Sequence, residues 1–145
     1  MIKIDISEDY LPLPKFYYDR IKSCINTILI DHKMENSFIH FVIVNDELLS
    51  KMKKKYFNMD VYTDVMAFNL EDEGKDIDGE IYISWDRILD NASKFEIIPN
   101  DEFKRIVIHG VLHLIGYDDQ TDKDKSKMKE LENLYMSRYE MDFYS

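Results

Sequence analysis

His109-Gly110-Val111-Leu112-His113-Leu114-Ile115-Gly116-Tyr117-Asp118-Asp119 is the stretch around which the 145 residues organise. It holds the second half of a helix whose two ends are both written in the sequence, and the turn that follows. Pro99-Asn100-Asp101 supplies the first turn, where a proline loses nothing because its missing N–H would be unpaired anyway. Phe103, Ile106, Val107 and Val111 recur at helical spacing and form an apolar stripe. Gly116 stops the helix, as a residue free to take positive φ does at a C-terminus. His109 and His113 are four residues apart, so the helix turns both imidazoles to one side, one turn apart. Two nitrogens so placed can bind one ion at about 2.0–2.1 Å each. A chain reversal after Gly116 can bring Asp118 or Asp119 to the same ion. Two neutral imidazoles and a carboxylate, with a position left for water, form a catalytic zinc shell. A bare pair of histidines four apart also occurs in ordinary helix packing. Here the glycine stop and the paired aspartates follow at once, and two of the four histidines in the chain fall in this stretch.

Outward from this helix the pattern alternates between strands and helices. Downstream, Thr121 with Asp124 resembles a capping pair, and Met128, Leu131 and Tyr135 line the inner face of a last helix. Upstream, residues 85–95 read as helical, and residues 80–84 alternate around Ile81 and Ile83 as a strand. The acidic stretch 71–78 with Gly74 reads as a loop, and residues 64–69, with Val65, Met66 and Phe68, as a strand. Asn45 can cap a helix that starts at Asp46 and carries Lys51, Lys53, Lys54 and Lys55. Residues 38–44 are an apolar β-rich run, a buried strand. Tyr18, Ile21, Ile25 and Ile28 define a first helix, with Cys24 beside them and Pro14 in its first turn, and residues 2–6 form a short strand with Ile2, Ile4 and Ile6 on one face. His32 reads as a surface residue after that helix, and His40, inside an apolar strand, as a hydrogen-bonded core histidine. The expected fold is α+β, a small mixed four-stranded sheet flanked by about five helices in one domain over residues 1–145, with the histidine pair near a helix end.

Composition narrows the function. The chain is 45% hydrophobic and 13% aromatic, which is globular rather than disordered. One cysteine leaves no internal disulfide and fits a reducing compartment. The N-terminus has no signal-peptide pattern, and no apolar run approaches the roughly 20 residues of a membrane span. A cytoplasmic protein with no membrane partner is expected. The net charge of -10 argues against bulk phosphate binding, and so against non-specific DNA association, but leaves room for a local basic patch at Lys53, Lys54 and Lys55. The zinc proteases share the histidine spacing, but their H-E-x-x-H motif carries its general base where this chain has Gly110. A peptidase is therefore demoted.

The same residues resemble the YbeY family of metal-dependent endoribonucleases, whose signature is H-G-x-L-H-L-x-G-Y-D-H. His109, Gly110, Leu112, His113, Leu114, Gly116, Tyr117 and Asp118 match it position by position. Tyr62-Thr63-Asp64-Val65-Met66-Ala67-Phe68 is similar to that family's P-T-D/N-V-L-S-F strand, and Gly79-Glu80-Ile81-Tyr82-Ile83-Ser84 to its G-D-I-x-I-S strand. The resemblance implies a single-strand-specific endoribonuclease in 3′-end maturation of small-subunit (16S) ribosomal RNA and in ribosome quality control. It implies one zinc ion per chain on His109, His113 and Asp119, the last at the position of the family's third histidine. It further implies catalytic roles for His113, Asp118 and Asp64, and a ribosome or ribosomal protein as partner. Two departures stand out: a carboxylate in place of the third imidazole, and Phe57 where the family has an arginine suited to holding phosphate. Lys53, Lys54 or Lys55 would then supply charge to the RNA. The alternatives are another zinc-dependent hydrolase of peptidase type, and a non-catalytic ribosome-associated binding protein.

Overall fold

The β-branched runs form the strands expected of them. The computed structural model describes residues 1–8, 14–57, 65–69 and 76–145. In chain order the elements are β1 (Lys3–Glu8), α1 (Tyr18–Asp31), β2 (Phe38–Val44), α2 (Asp46–Phe57), β3 (Val65–Asn69), β4 (Asp78–Ser84), α3 (Trp85–Lys94), α4 (Pro99–Ile115) and α5 (Asp122–Arg138). The sheet order is β1-β2-β4-β3; β1, β2 and β4 run parallel and β3 pairs antiparallel to β4 at the edge. This is the mixed four-stranded sheet with five helices that the patterning indicates.

Alternation along the strands divides the residues between two faces. Ile39, Phe41 and Ile43 of β2 and Ile81 and Ile83 of β4 join the main core, together with buried residues of α1, α3, α4 and α5. Val42, Val44 and Met66 point the other way and meet Leu49 of α2 in a smaller cluster. The sheet therefore carries α4 on one face and α2 on the other. Two glycines bring α4 close to the sheet. A Cβ at Gly79 would stand 2.8 Å from Leu114 Cδ1, and one at Gly110 would stand 3.1 Å from Ile81 Cγ2.

The caps read from the sequence are present. The Leu48 N–H donates to Asn45 Oδ1 at 2.8 Å, and the Asp124 N–H donates to Thr121 Oγ1 at 3.0 Å. Pro99 opens α4, and Gly116 ends it with φ at 123°. Pro14 does not enter a helical turn, because α1 starts only at Tyr18. Phe16 is instead held by a bridge to Tyr144, with its ring 5.3 Å from those of Trp85 and Phe103. Two histidines also differ from their sequence readings. His40 is half-buried rather than in the core, its Nε2 2.9 Å from Ser7 Oγ, because its strand position falls on the face opposite Phe41. His32 is half-buried, with Nδ1 2.8 Å from Ile28 O and Nε2 3.1 Å from Tyr117 Oη.

Cys24 is fully buried, and burial pushes its thiol up to about 12. The last helix is tied to the first through Asp31. The Tyr135 hydroxyl donates to Asp31 at 2.9 Å and Arg138 binds the same oxygen at 2.9 Å. The Tyr135 hydrogen bond, reinforced by Arg138, holds the Asp31 carboxyl below its ordinary value.

Candidate metal centre

His109 and His113 leave α4 on the same side, their ring centroids 4.5 Å apart. The turn after Gly116 returns Asp119 to them. Asp119 Oδ2 is 3.5 Å from His109 Nε2 and 3.5 Å from His113 Nε2. Those distances exceed the roughly 2.7–3.2 Å of an N–H···O hydrogen bond. They match a shared ion, since ligand atoms about 2.1 Å from one tetrahedral metal lie about 3.4 Å from one another. The three donor atoms all fall within 4.8 Å of one another, and among the described residues no other group of His, Cys, Asp or Glu does so. The donor set suits a borderline divalent metal.

A fourth residue settles which nitrogen of His109 can serve as a ligand. Glu132 on α5 places Oε2 2.7 Å from His109 Nδ1. A carboxylate accepts, so Nδ1 carries the proton and Nε2 keeps its lone pair for the metal. Glu132 is itself held: Arg105 Nη1 donates to its Oε1 at 3.1 Å and to Asn133 Oδ1 at 3.3 Å. Glu132 is 7% exposed, so the pairing with Arg105 and His109 is what lets a carboxylate sit on an inner helix face. The signal for it was in the sequence. Glu132 falls on the stripe of Met128, Leu131 and Tyr135, at the spacing where a helix otherwise buries apolar side chains.

Asp118 is exposed, and its Oδ1 accepts the Asp119 N–H at 2.8 Å. It shapes the turn and does not join the three donors. Tyr117 packs against the core and bonds His32. Asp64, expected to line the cleft, lies outside the described residues. Lys53 is half-buried and Lys54 and Lys55 are exposed on α2, the helix on the other face of the sheet from α4. The cleft beside the triad, about 520 Å³, is lined instead by Arg105, Lys125, Lys129, Ile97 and Met128 with His109, Asp119 and Glu132. At Gly110, where a zinc protease would need its glutamate, Ile81 and Val65 close the space, at 3.1 and 3.4 Å from a Cβ position.

Comparison with known proteins places the chain in a family. The family model described as endoribonuclease YbeY matches residues 3–140. The chain is 36% identical to endoribonuclease YbeY of Amoebophilus asiaticus, over 87% of this chain and 83% of that one. It is 43% identical to that of Karelsulcia muelleri, over 70% and 74%, and 38% identical to that of Cytophaga hutchinsonii, over 81% and 82%. The solution structure of TM1509 from Thermotoga maritima shares the fold, with a TM-score of 0.66 over 94% of this chain and 91% of that one, at 23% identity. On these grounds the chain belongs to the endoribonuclease YbeY family.

Proposed function

We propose that the chain cuts single-stranded RNA at a zinc ion held by His109 Nε2, His113 Nε2 and Asp119 Oδ2. As a member of its family it is an endoribonuclease, a hydrolase of ribosomal RNA processing. The finer assignment is to the 3′ end of the small-subunit RNA, in the cytoplasm and on a ribosomal or ribosomal-protein partner. The observation that carries the metal is the pair of 3.5 Å distances from one carboxylate oxygen to two imidazole nitrogens. When bound, the ion supplies Lewis acidity toward a phosphate oxygen and lowers the pKa of a water.

The residues do the rest. Glu132 fixes the tautomer and direction of His109. Asp118 orients Asp119 through its backbone N–H. Asp64 is assigned to the cleft by the resemblance. Lys53, Lys54 and Lys55, on the far face of the sheet, are assigned to ribosomal RNA outside the cleft. Asp119 in place of a third imidazole lowers the net charge of the site, which makes a bound water less acidic and gives harder metals a larger share. The net charge of -10 implies weak, salt-sensitive binding of isolated RNA, with the partner supplying affinity.

The test is metal analysis together with RNA cleavage on the wild type, His113→Ala and Asp119→Ala. Near one zinc per chain in the wild type, lost with cleavage in both variants, is the expected result. Zinc kept in Asp119→Ala but lost in His113→Ala moves the third ligand to Asp118 or water. A wild type that takes up no zinc when it is offered ends the proposal.

A further inference from the structure

The cleft beside the triad has a charge that the chain as a whole lacks. Its lining sets Arg105, Lys125 and Lys129 against Asp119 and Glu132, in a chain of net charge -10. Lys125 and Lys129 are one helical turn apart and both line the cleft, on the side of α5 that carries Glu132. Both are exposed, and among the described residues neither ammonium is paired with a carboxylate. Arg105, in the same cleft, is engaged by Glu132 and Asn133. Like charges four residues apart on a helix repel, and a run of phosphates relieves that repulsion. Ile97, 37% exposed, adds apolar surface to the same cleft. A single strand can lay an unstacked base on such a surface, while a duplex keeps its bases covered.

We propose that Lys125 and Lys129 form the phosphate subsite that leads a single RNA strand into the metal centre, with Ile97 as its apolar contact. This rests on the endoribonuclease reading above. It places the phosphate contact on α5, whereas the sequence pattern points to the α2 lysines, and it answers the presence of Phe57 where the resemblance puts an arginine. Lysines are point charges without a bidentate fork, so the subsite grips backbone without reading sequence.

The experiment is a salt titration of binding between the full chain, supplied with zinc, and a 2′-O-methylated single-stranded oligonucleotide. The wild type is compared with Lys125→Ala/Lys129→Ala and with Lys123→Ala/Lys127→Ala, which makes the same charge change at positions that do not line the cleft. Alanine is a stronger helix former than lysine, so both variants fold. At about 0.7 per phosphate contact on a single strand, the cleft pair should lower the slope of log affinity against log salt by about 1.4. The outward pair should lower it by less than half of that. Equal losses from the two pairs, or none from the cleft pair, overturn the subsite. Cleavage of unmodified RNA by the wild type is measured alongside. RNA cut with no slope difference defeats the subsite alone, and a slope difference with no RNA cut defeats the endoribonuclease reading alone.

Discussion

His109 and Asp119 meet at one point, but the molecule brings them there by different means. His109 sits in mid-helix against α5, 19% exposed at its side chain, with Glu132 on its ring and Arg105 behind Glu132. Asp119 comes from a turn, 43% exposed, positioned by a glycine with φ at 123° and by the carboxylate of its neighbour Asp118. The first arm is set before any ion arrives: its tautomer is chosen and its ring direction fixed. The second arm is aimed by backbone torsion and short local hydrogen bonds. His113 stands between them, on the rigid helix but at 29% exposure, and no bond like that of Glu132 reaches its ring among the described residues. The difference teaches that metal affinity should depend most on the helical arm, while the turn arm should tolerate adjustment.

The largest effect tests whether the helical arm is a ligand arm at all. His109→Ala should take zinc from near one per chain to background by mass spectrometry, and RNA cleavage with it. If the ion stays, the rigid arm is only packing. Next comes Glu132→Gln, which keeps the shape and removes the charge. Loss of such a supporting carboxylate costs about 10–100-fold in metal affinity, read by competition with a chelator of known strength. An unchanged affinity would mean that the bond to His109 Nδ1 at 2.7 Å does not tune the ligand.

Much of this was legible in the sequence, and the rest was not, for physical reasons. The histidine spacing, the Gly116 stop and the Asp119 return are local features, each decided within a few residues, and all three hold. The strands followed from β-branched runs whose alternation both faces of the sheet then used. The sequence marks Glu132 as a carboxylate on an apolar stripe, but its partners follow only from the packing of α5 on α4, 23 residues from His109 along the chain. The placement of His40 is not legible, because an apolar run does not say which of its positions faces the main core. The α2 lysines form a dense run, while those on α5 alternate with other residues and only the cleft marks two of them out.

Gly116→Ala isolates the turn arm. A Cβ there would meet nothing within 4 Å, so no clash enters and the cost is torsional. It should amount to roughly 1–2 kcal/mol, seen as a lower midpoint in denaturant unfolding. Because the turn aims Asp119, metal affinity should fall too. If the arms are independent, the losses from Gly116→Ala and Glu132→Gln should add; a strong coupling between them would mean that the two arms are one.

Tyr117→Phe is the smallest change and the sharpest for the comparison. His32 Nδ1 is 2.8 Å from the Ile28 carbonyl, which can only accept, so Nδ1 carries a proton and, in the neutral ring, Nε2 is the acceptor. The Tyr117 hydroxyl therefore donates to Nε2 at 3.1 Å, and this bond ties the Gly116–Asp119 turn to the end of α1. Removing the hydroxyl keeps the edge contact of the rings, 5.4 Å between centroids, and leaves Nε2 to half-buried surroundings. A net loss of about 1 kcal/mol in unfolding free energy is expected. Zinc affinity should fall only a few-fold, since the turn keeps Gly116 and the Asp118 bond to aim Asp119. A loss as large as that of Glu132→Gln would show that Asp119 relies on a distant anchor as much as His109 does, and the contrast between a preset arm and an adaptable one would not stand.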